Sequence, residues 1–166
     1  MPLNEELLGL AARVGERLRE RGQTVAVAES SAGGLAAAAL LAQPGASAYF
    51  RGGAVVYTGD AKSLLLGLSR EAISQPRAAT PEHALILARG VRERLGATWG
   101  IGETGAAGPT GNRYGDPPGH SCLAVSGPLE LTEVVRTGSD DRSANMVAFA
   151  IAGLRALEAA LERAGR

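Results

Sequence analysis

The spacing of apolar and polar positions divides this chain into amphipathic helical stretches and short apolar runs. Leu7, Leu10, Ala11, Val14 and Leu18 recur at helical intervals, with Asn4 as a cap and Glu5-Glu6 in the first turn. A helix is therefore expected up to Gly22, with Arg17, Arg19 and Arg21 in its last turns, where cations suit the dipole. Interleaved Glu16 and Glu20 make those arginines a solvated face rather than a polynucleotide patch. The run TVAVA from Thr24 reads as a buried strand; Glu29-Ser30-Ser31 breaks it, Gly33-Gly34 opens an Ala/Leu-rich helix, and Gln43-Pro44-Gly45 ends that helix. Tyr49 to Tyr57 reads as a second strand, in which Gly52-Gly53 marks a bulge or close backbone approach. Thr58-Gly59-Asp60 is a turn, Ala61 to Leu66 a short helical piece, and Ser69 and Ser74 punctuate another.

Further along, Thr80 caps a helix with Pro81 at its first position and Ala84, Leu85, Ala88, Val91 and Leu95 along it. Ala97 to Glu103 is an expected strand, followed by a glycine-rich turn, Gly105 to Gly111, and a polar loop to Gly119. Ser121 to Ser126 and Leu131 to Arg136 read as two antiparallel strands joined at Gly127-Pro128. The last helix is expected to start near Ser139 and to turn Val147, Ile151, Leu154, Leu157 and Leu161 to the core. This order predicts the α/β class: one three-layer α/β/α domain over residues 1–166 with a mixed, partly antiparallel sheet.

Composition narrows the partners. The formal charge is zero, which argues against a nucleic-acid footprint or an acidic membrane surface. The longest apolar run, Gly33 to Ala42, is about half a membrane span. Cys122 is the only cysteine, so no intrachain disulfide is possible, and the N-terminus carries acids where a signal peptide carries basic residues; a cytoplasmic setting is expected. Ala/Leu-rich surfaces on so small a chain suggest a homodimer or a higher homo-oligomer.

One count changes the picture. Among 17 basic residues Lys62 is the only lysine. An arginine keeps its proton in a protein, whereas a desolvated lysine can act as a base. Ser30 on the first strand-to-helix turn, Tyr57 and Lys62 at the second strand's exit and the Gly105–Gly111 loop are all expected at one end of the sheet, where ligands of open α/β sheets bind. Ser30 has two readings: a helix cap, or a nucleophile whose proton Lys62 removes while main-chain N–H groups of the Ser31–Gly34 turn receive an oxyanion. His83 and His120 read as structural residues. No His/Cys/carboxylate cluster has metal-ligand spacing, and the glycine loop lacks the Lys-Ser/Thr ending of a P-loop.

The segments AESSAGGL, AVVYTGDAK, TGAAGPTGN with the following Pro-Pro-Gly, and SDDR resemble, in order, the four signature blocks of the CinA C-terminal domain family. The resemblance covers nearly the whole chain. It implies a three-layer α/β/α fold and nicotinamide-nucleotide amidohydrolysis, in which nicotinamide mononucleotide and water give nicotinic acid mononucleotide and ammonia. No metal and no organic cofactor takes part. The family motif ES-(C/T)-x-GG puts its nucleophile on Ser30, its tyrosine and lysine motif falls on Tyr57 and Lys62, and its GDR arginine on Arg142. The substrate-binding set is then Ser31, Gly33, Gly34, Thr104, Gly105, Gly108 and Arg142, the last as a charged fork for a phosphate. Departures are Ser31-Ala32 where the usual bacterial form has Cys-Thr, Asn112 in place of a loop glycine, and Asp140-Asp141-Arg142 as the GDR block. The tract from Gly102 to Cys122 resembles a divergent branch also seen in fungi and plants. The expected mechanism has neutral Lys62 deprotonating Ser30, attack on the carboxamide, Tyr57 assisting ammonia departure, and water cleaving the acyl-enzyme. Two rival readings are the same machinery on another carboxamide, and a non-catalytic nucleotide-binding or assembly module.

Overall fold

The computed structural model describes residues 3–165. Helix α1 (Glu5–Arg21) begins on Asn4, whose side chain accepts from Leu7 N–H, and ends at left-handed Gly22. Strand β1 (Val25–Glu29) is buried along its whole length, as a strand covered on both faces must be. Helix α2 (Leu35–Leu41) follows, then a short 3-10 turn and strand β2 (Phe50–Val55). Helix α3 (Gly59–Leu66) starts two residues earlier than expected, because Thr58 caps it through Ala61 N–H and so draws Gly59 and Asp60 into the first turn. Helix α4 (Arg70–Ser74) is capped by Ser69, and α5 (Pro81–Leu95) by Thr80.

Strand β3 (Trp99–Ala106) runs three residues past the expected end. Thr104, Gly105 and Ala106 are held in extended form by β4 (His120–Ser126), which pairs with them at Cys122, Ser121 and His120. The glycine that signals a turn in the sequence is used here for closeness: a Cβ on Gly105 would lie 2.5 Å from His120 O. Strand β5 (Leu131–Arg136) is the expected hairpin partner. Helix α6 (Arg142–Ala164) starts three residues after Ser139, because Asp141 is the residue whose side chain caps it, through Ala144 N–H.

The sheet order is β2-β1-β3-β4-β5. The first three strands are parallel and the last two antiparallel additions, so the sheet is mixed. The expected irregularity in β2 is present: Val25 pairs with Phe50 but Ala26 with Gly52, so one residue is slipped. Helices α1, α2 and α6 cover one face around a core containing Leu18, Trp99, Phe149 and Leu157, and α5 with α3 covers the other around Ala28, Leu87 and Val91. By length and composition α6 is apolar enough to cross a bilayer, yet 61% of its most apolar window is buried inside the protein, where it forms the core.

This topology gathers the chemistry. The C-terminal ends of three parallel strands open on one edge, and the start of antiparallel β4 joins them there. Because α5 and α6 run back along the sheet from that edge, both helices present their first turns to it.

The contact between α5 and β3 is close enough to exclude side chains on the strand. A Cβ on Gly102 would lie 2.1 Å from Ala84 O, a backbone atom that cannot step aside. Gly102→Ala is expected to lower unfolding stability by about 2–3 kcal/mol, measured by urea denaturation; a midpoint equal to wild type would show that this interface has slack.

Candidate active site

Two buried carboxylates build the turn that carries Ser30. Glu29 ends β1 and Glu103 lies on neighbouring β3; they are 1% and 2% exposed. Glu29 folds back onto α2, accepting from Ala36 N–H at 2.9 Å and Ala37 N–H at 3.0 Å. Glu103 holds the turn itself. Its Oε1 accepts from Ser30 N–H at 3.0 Å and Ala32 N–H at 2.7 Å, and its Oε2 from the Ser31 hydroxyl at 2.5 Å and the Ser121 hydroxyl at 2.8 Å. Gly33 and Gly34 have φ of 71° and 93°, a left-handed pair that lets the chain swing from strand into helix.

These contacts correct the expectation that the Ser31–Gly34 amides stand free for an oxyanion. Ala32 N–H is spent on Glu103, and Gly33 N–H on Ser30 O at 3.2 Å. The helix start faces the protein's own carboxylate, so its positive end is already answered. Among the described residues, Ser31 N–H has no acceptor. The Ser31 hydroxyl, expected to touch substrate, is turned to Glu103.

The Ser30 side chain has a different fate from its neighbours. Its main chain is tied down, but among the described residues its hydroxyl has no hydrogen-bond partner. The cap reading of Ser30 therefore fails, because Gly34 occupies the cap position of α2 without a side-chain bond. Lys62, on α3, is only 6% exposed. Its amine lies 3.0 Å from His83 Nε2 and makes no ion pair among the described residues. Burial lowers its proton affinity from the ordinary 10.5, while the charge of Glu103 opposes this. Glu103 is thus a shared neighbour: it bonds the Ser30 main chain and acts on the Lys62 amine through its charge.

His83, expected as a structural residue, is fully buried with its ring against the Lys62 amine, a contact the sequence reading did not foresee. The signal was present in the helix period: His83 stands four residues before Leu87 and eight before Val91, on the face α5 turns to the sheet. Glu103 and Ser121 carried a signal too, as polar residues inside apolar strand runs. His120 is structural as expected, with Nε2 on Ala79 O at 3.0 Å and Nδ1 accepting from Arg136 at 3.2 Å.

The other candidates form a second group. Tyr57 is 59% exposed and receives Arg142 Nη2 at 3.3 Å, while Nη1 of the same arginine donates to Gly108 O at 2.6 Å. Tyr57, Gly108 and Arg142 are therefore joined, and Tyr57 has no hydrogen bond to Lys62. Thr104 is buried, its hydroxyl accepting from Ala79 N–H at 3.0 Å, so it anchors the segment leading into α5. Asn112 closes its own loop, donating to Asp116 at 2.8 Å, and Asp116 also accepts from Arg77 at 2.9 Å. Among the described residues no cluster of three or more His, Cys, Asp or Glu side chains is arranged to hold a metal.

An open mixed sheet with a serine turn, a buried lysine and a glycine-rich loop at its parallel strand ends defines an α/β protein with a sheet-edge site. The model of the CinA C-terminal domain matches residues 8–161, and the chain belongs to that family. A CinA-like protein of Acidobacterium capsulatum is 46% identical over 125 residues, covering 75% of this chain and 30% of its own length. One from Synechococcus elongatus is 38% identical, covering 87% of this chain and 34% of its own length. This chain thus spans about a third of the curated relatives it matches. Among solved structures, competence/damage inducible protein CihA of Agrobacterium tumefaciens superimposes with a TM-score of 0.89 at 32% identity, covering 98% of this chain and 99% of that one. A CinA superfamily protein of Escherichia coli gives 0.86 at 26% identity, covering 95% and 93%.

The carboxylates of the turn make stability depend on pH. Burial, aided by the Glu103 charge, raises Glu29 from 4.5 to about 7 against the pull of its N–H partners. Between those values the folded chain keeps a proton that the unfolded chain has released. Glu29's share of stability is therefore complete below pH 4.5 and lost as the pH rises through 7. Relative to Glu29→Gln, the wild type should lose on the order of 3 kcal/mol across that window, read from urea unfolding at each pH. Parallel curves for the two proteins would refute the assignment.

Proposed function

We propose that this protein is an amidohydrolase that converts nicotinamide mononucleotide to nicotinic acid mononucleotide and ammonia through Ser30 and Lys62. The observation that carries the reading is that, among the described residues, a buried serine hydroxyl without a partner and the chain's only lysine, buried without an ion pair, lie at neighbouring strand exits, with no hydrogen bond between them in this resting structure. Family membership supports the same chemistry. Neutral Lys62 takes the Ser30 proton, and the Ser30 oxygen bonds to the carboxamide carbon. Ser31 N–H, without an acceptor among the described residues, is the main-chain donor for the oxyanion. The nitrogen leaves as ammonia once it receives the proton, and water releases the acid from the acyl-enzyme. Arg142 supplies the charge for the 5′-phosphate, with the Tyr57 hydroxyl and the Gly108 carbonyl fixing its guanidinium. That placement makes Tyr57 a binding group rather than a proton carrier. A small-molecule nucleotide is the sole partner this mechanism needs, and it draws on no cofactor.

The test is ammonia release by the purified protein. Lys62→Arg keeps the charge and removes the base, and is expected to lower kcat by about 10²–10⁴-fold. Ser30→Ala is expected to abolish acyl-enzyme formation, and Arg142→Ala to raise KM far more than it changes kcat. Turnover that persists through both Ser30→Ala and Lys62→Arg overturns the dyad. Activity confined to a different carboxamide in a substrate screen keeps the dyad and replaces the substrate.

A further inference from the structure

His83 and Lys62 form a buried pair whose hydrogen positions follow from its surroundings. His83 Nδ1 lies 2.9 Å from Pro76 O, and His83 Nε2 lies 3.0 Å from Lys62 Nζ. A carbonyl oxygen only accepts, so Nδ1 carries the ring hydrogen. In the neutral ring Nε2 is then a bare lone pair, and the lysine is the donor. His120 is wired in the opposite sense, with Nε2 facing Ala79 O and Nδ1 receiving an arginine N–H. The protein's two histidines therefore hold opposite tautomers.

A buried lysine is ordinarily matched with a carboxylate, which keeps it an ammonium. The direct partner here is uncharged. The charged groups of the surrounding elements are engaged elsewhere. Asp60 of α3 and Arg70 of α4 pair at the surface, Glu71 and Glu82 are exposed, and Glu29 of β1 faces the amides of α2. Glu103 of β3 acts through its charge, with its oxygens occupied by the serine turn and Ser121.

We infer that His83 is a positioning residue: its neutral Nε2 takes one N–H of Lys62 and fixes the amine without supplying the negative charge that keeps a buried lysine protonated. The inference rests on the reading of Lys62 as the base for Ser30. An imidazolium at position 83 would place a second positive charge 3.0 Å from the amine, so the pair holds one exchangeable proton at most. Burial lowers the proton affinity of both members, and the lysine charge lowers that of the histidine further.

One lysine and two histidines make the pair directly observable by NMR in the resting protein, without substrate. With ¹³C-labelled lysine, the single side-chain signal is expected to titrate below 10.5. With ¹⁵N-labelled histidine, one ring should be the Nδ1–H tautomer, and that signal should vanish in His83→Gln. His83→Gln, a neutral acceptor, should leave the lysine titrating low, whereas His83→Glu should raise it. In turnover, His83→Leu should lower kcat about 10-fold or more with little change in KM, and His83→Gln should recover part of it. An ordinary lysine titration in the wild type, an Nε2–H tautomer at His83, or a lysine unmoved by His83→Glu overturns the inference. Should His83→Glu fail to fold, the wild-type tautomer and titration decide alone. A low-titrating lysine with the expected tautomer but no ammonia release upholds the pair and overturns the amidohydrolase reading of the site instead.

Discussion

The Glu103 carboxylate ties together three adjacent strands. It sits on β3, holds the turn that leaves β1 through two N–H groups and a hydroxyl, and reaches Ser121 on β4. Burial raises its proton affinity and the bonds from the turn oppose that rise. Each such bond is worth about 1 kcal/mol net, and removing the side chain would strand three donors at once, the Ser121 hydroxyl keeping Thr104 O. The turn must be held this way because it has little else: it contains two left-handed glycines and leads into a helix of only seven residues. Burying a carboxylate beside a second one is costly, and the amide and hydroxyl donors are what offset that cost. The arrangement shifts positive helix-end potential away from solvent and onto the protein's own acids, leaving the Ser30 side chain as the group that remains unpaired.

The strong local signals were legible. Asn4, Thr80 with Pro81, and Gly22 mark helix ends by capping chemistry that acts over three or four residues, and the structure uses each as read. The hairpin of β4 and β5 follows from alternation and a Gly-Pro joint. Errors fell where a distant partner decides the outcome. Thr104-Gly105 reads as loop because glycine and polar residues break a strand pattern, but β4 supplies the ladder that keeps it extended. The start of α6 was displaced because Ser139 and Asp141 are both good caps, and only geometry chooses Asp141.

The site was legible in its residue types and less so in its wiring. Ser30, Lys62, Tyr57 and Arg142 come to one sheet edge, as strand order requires. Their pairing is not inscribed in spacing: Lys62 meets His83 across two helices, and Tyr57 meets Arg142 over 85 positions of sequence. A carboxylate that organises a turn from a neighbouring strand leaves no trace in the turn's own sequence. What it does leave is a charged residue in an apolar run, and Glu103 carries that mark.

The lone lysine has an outward consequence as well. Every other fixed cationic side chain is a guanidinium, and the one ε-amine is withdrawn from the outer surface into the candidate site. Acylating reagents, aldehyde crosslinkers and enzymes that tag lysine therefore find no exposed lysine side chain on this surface. Any such adduct would fall on Lys62 itself and so mark the candidate site alone.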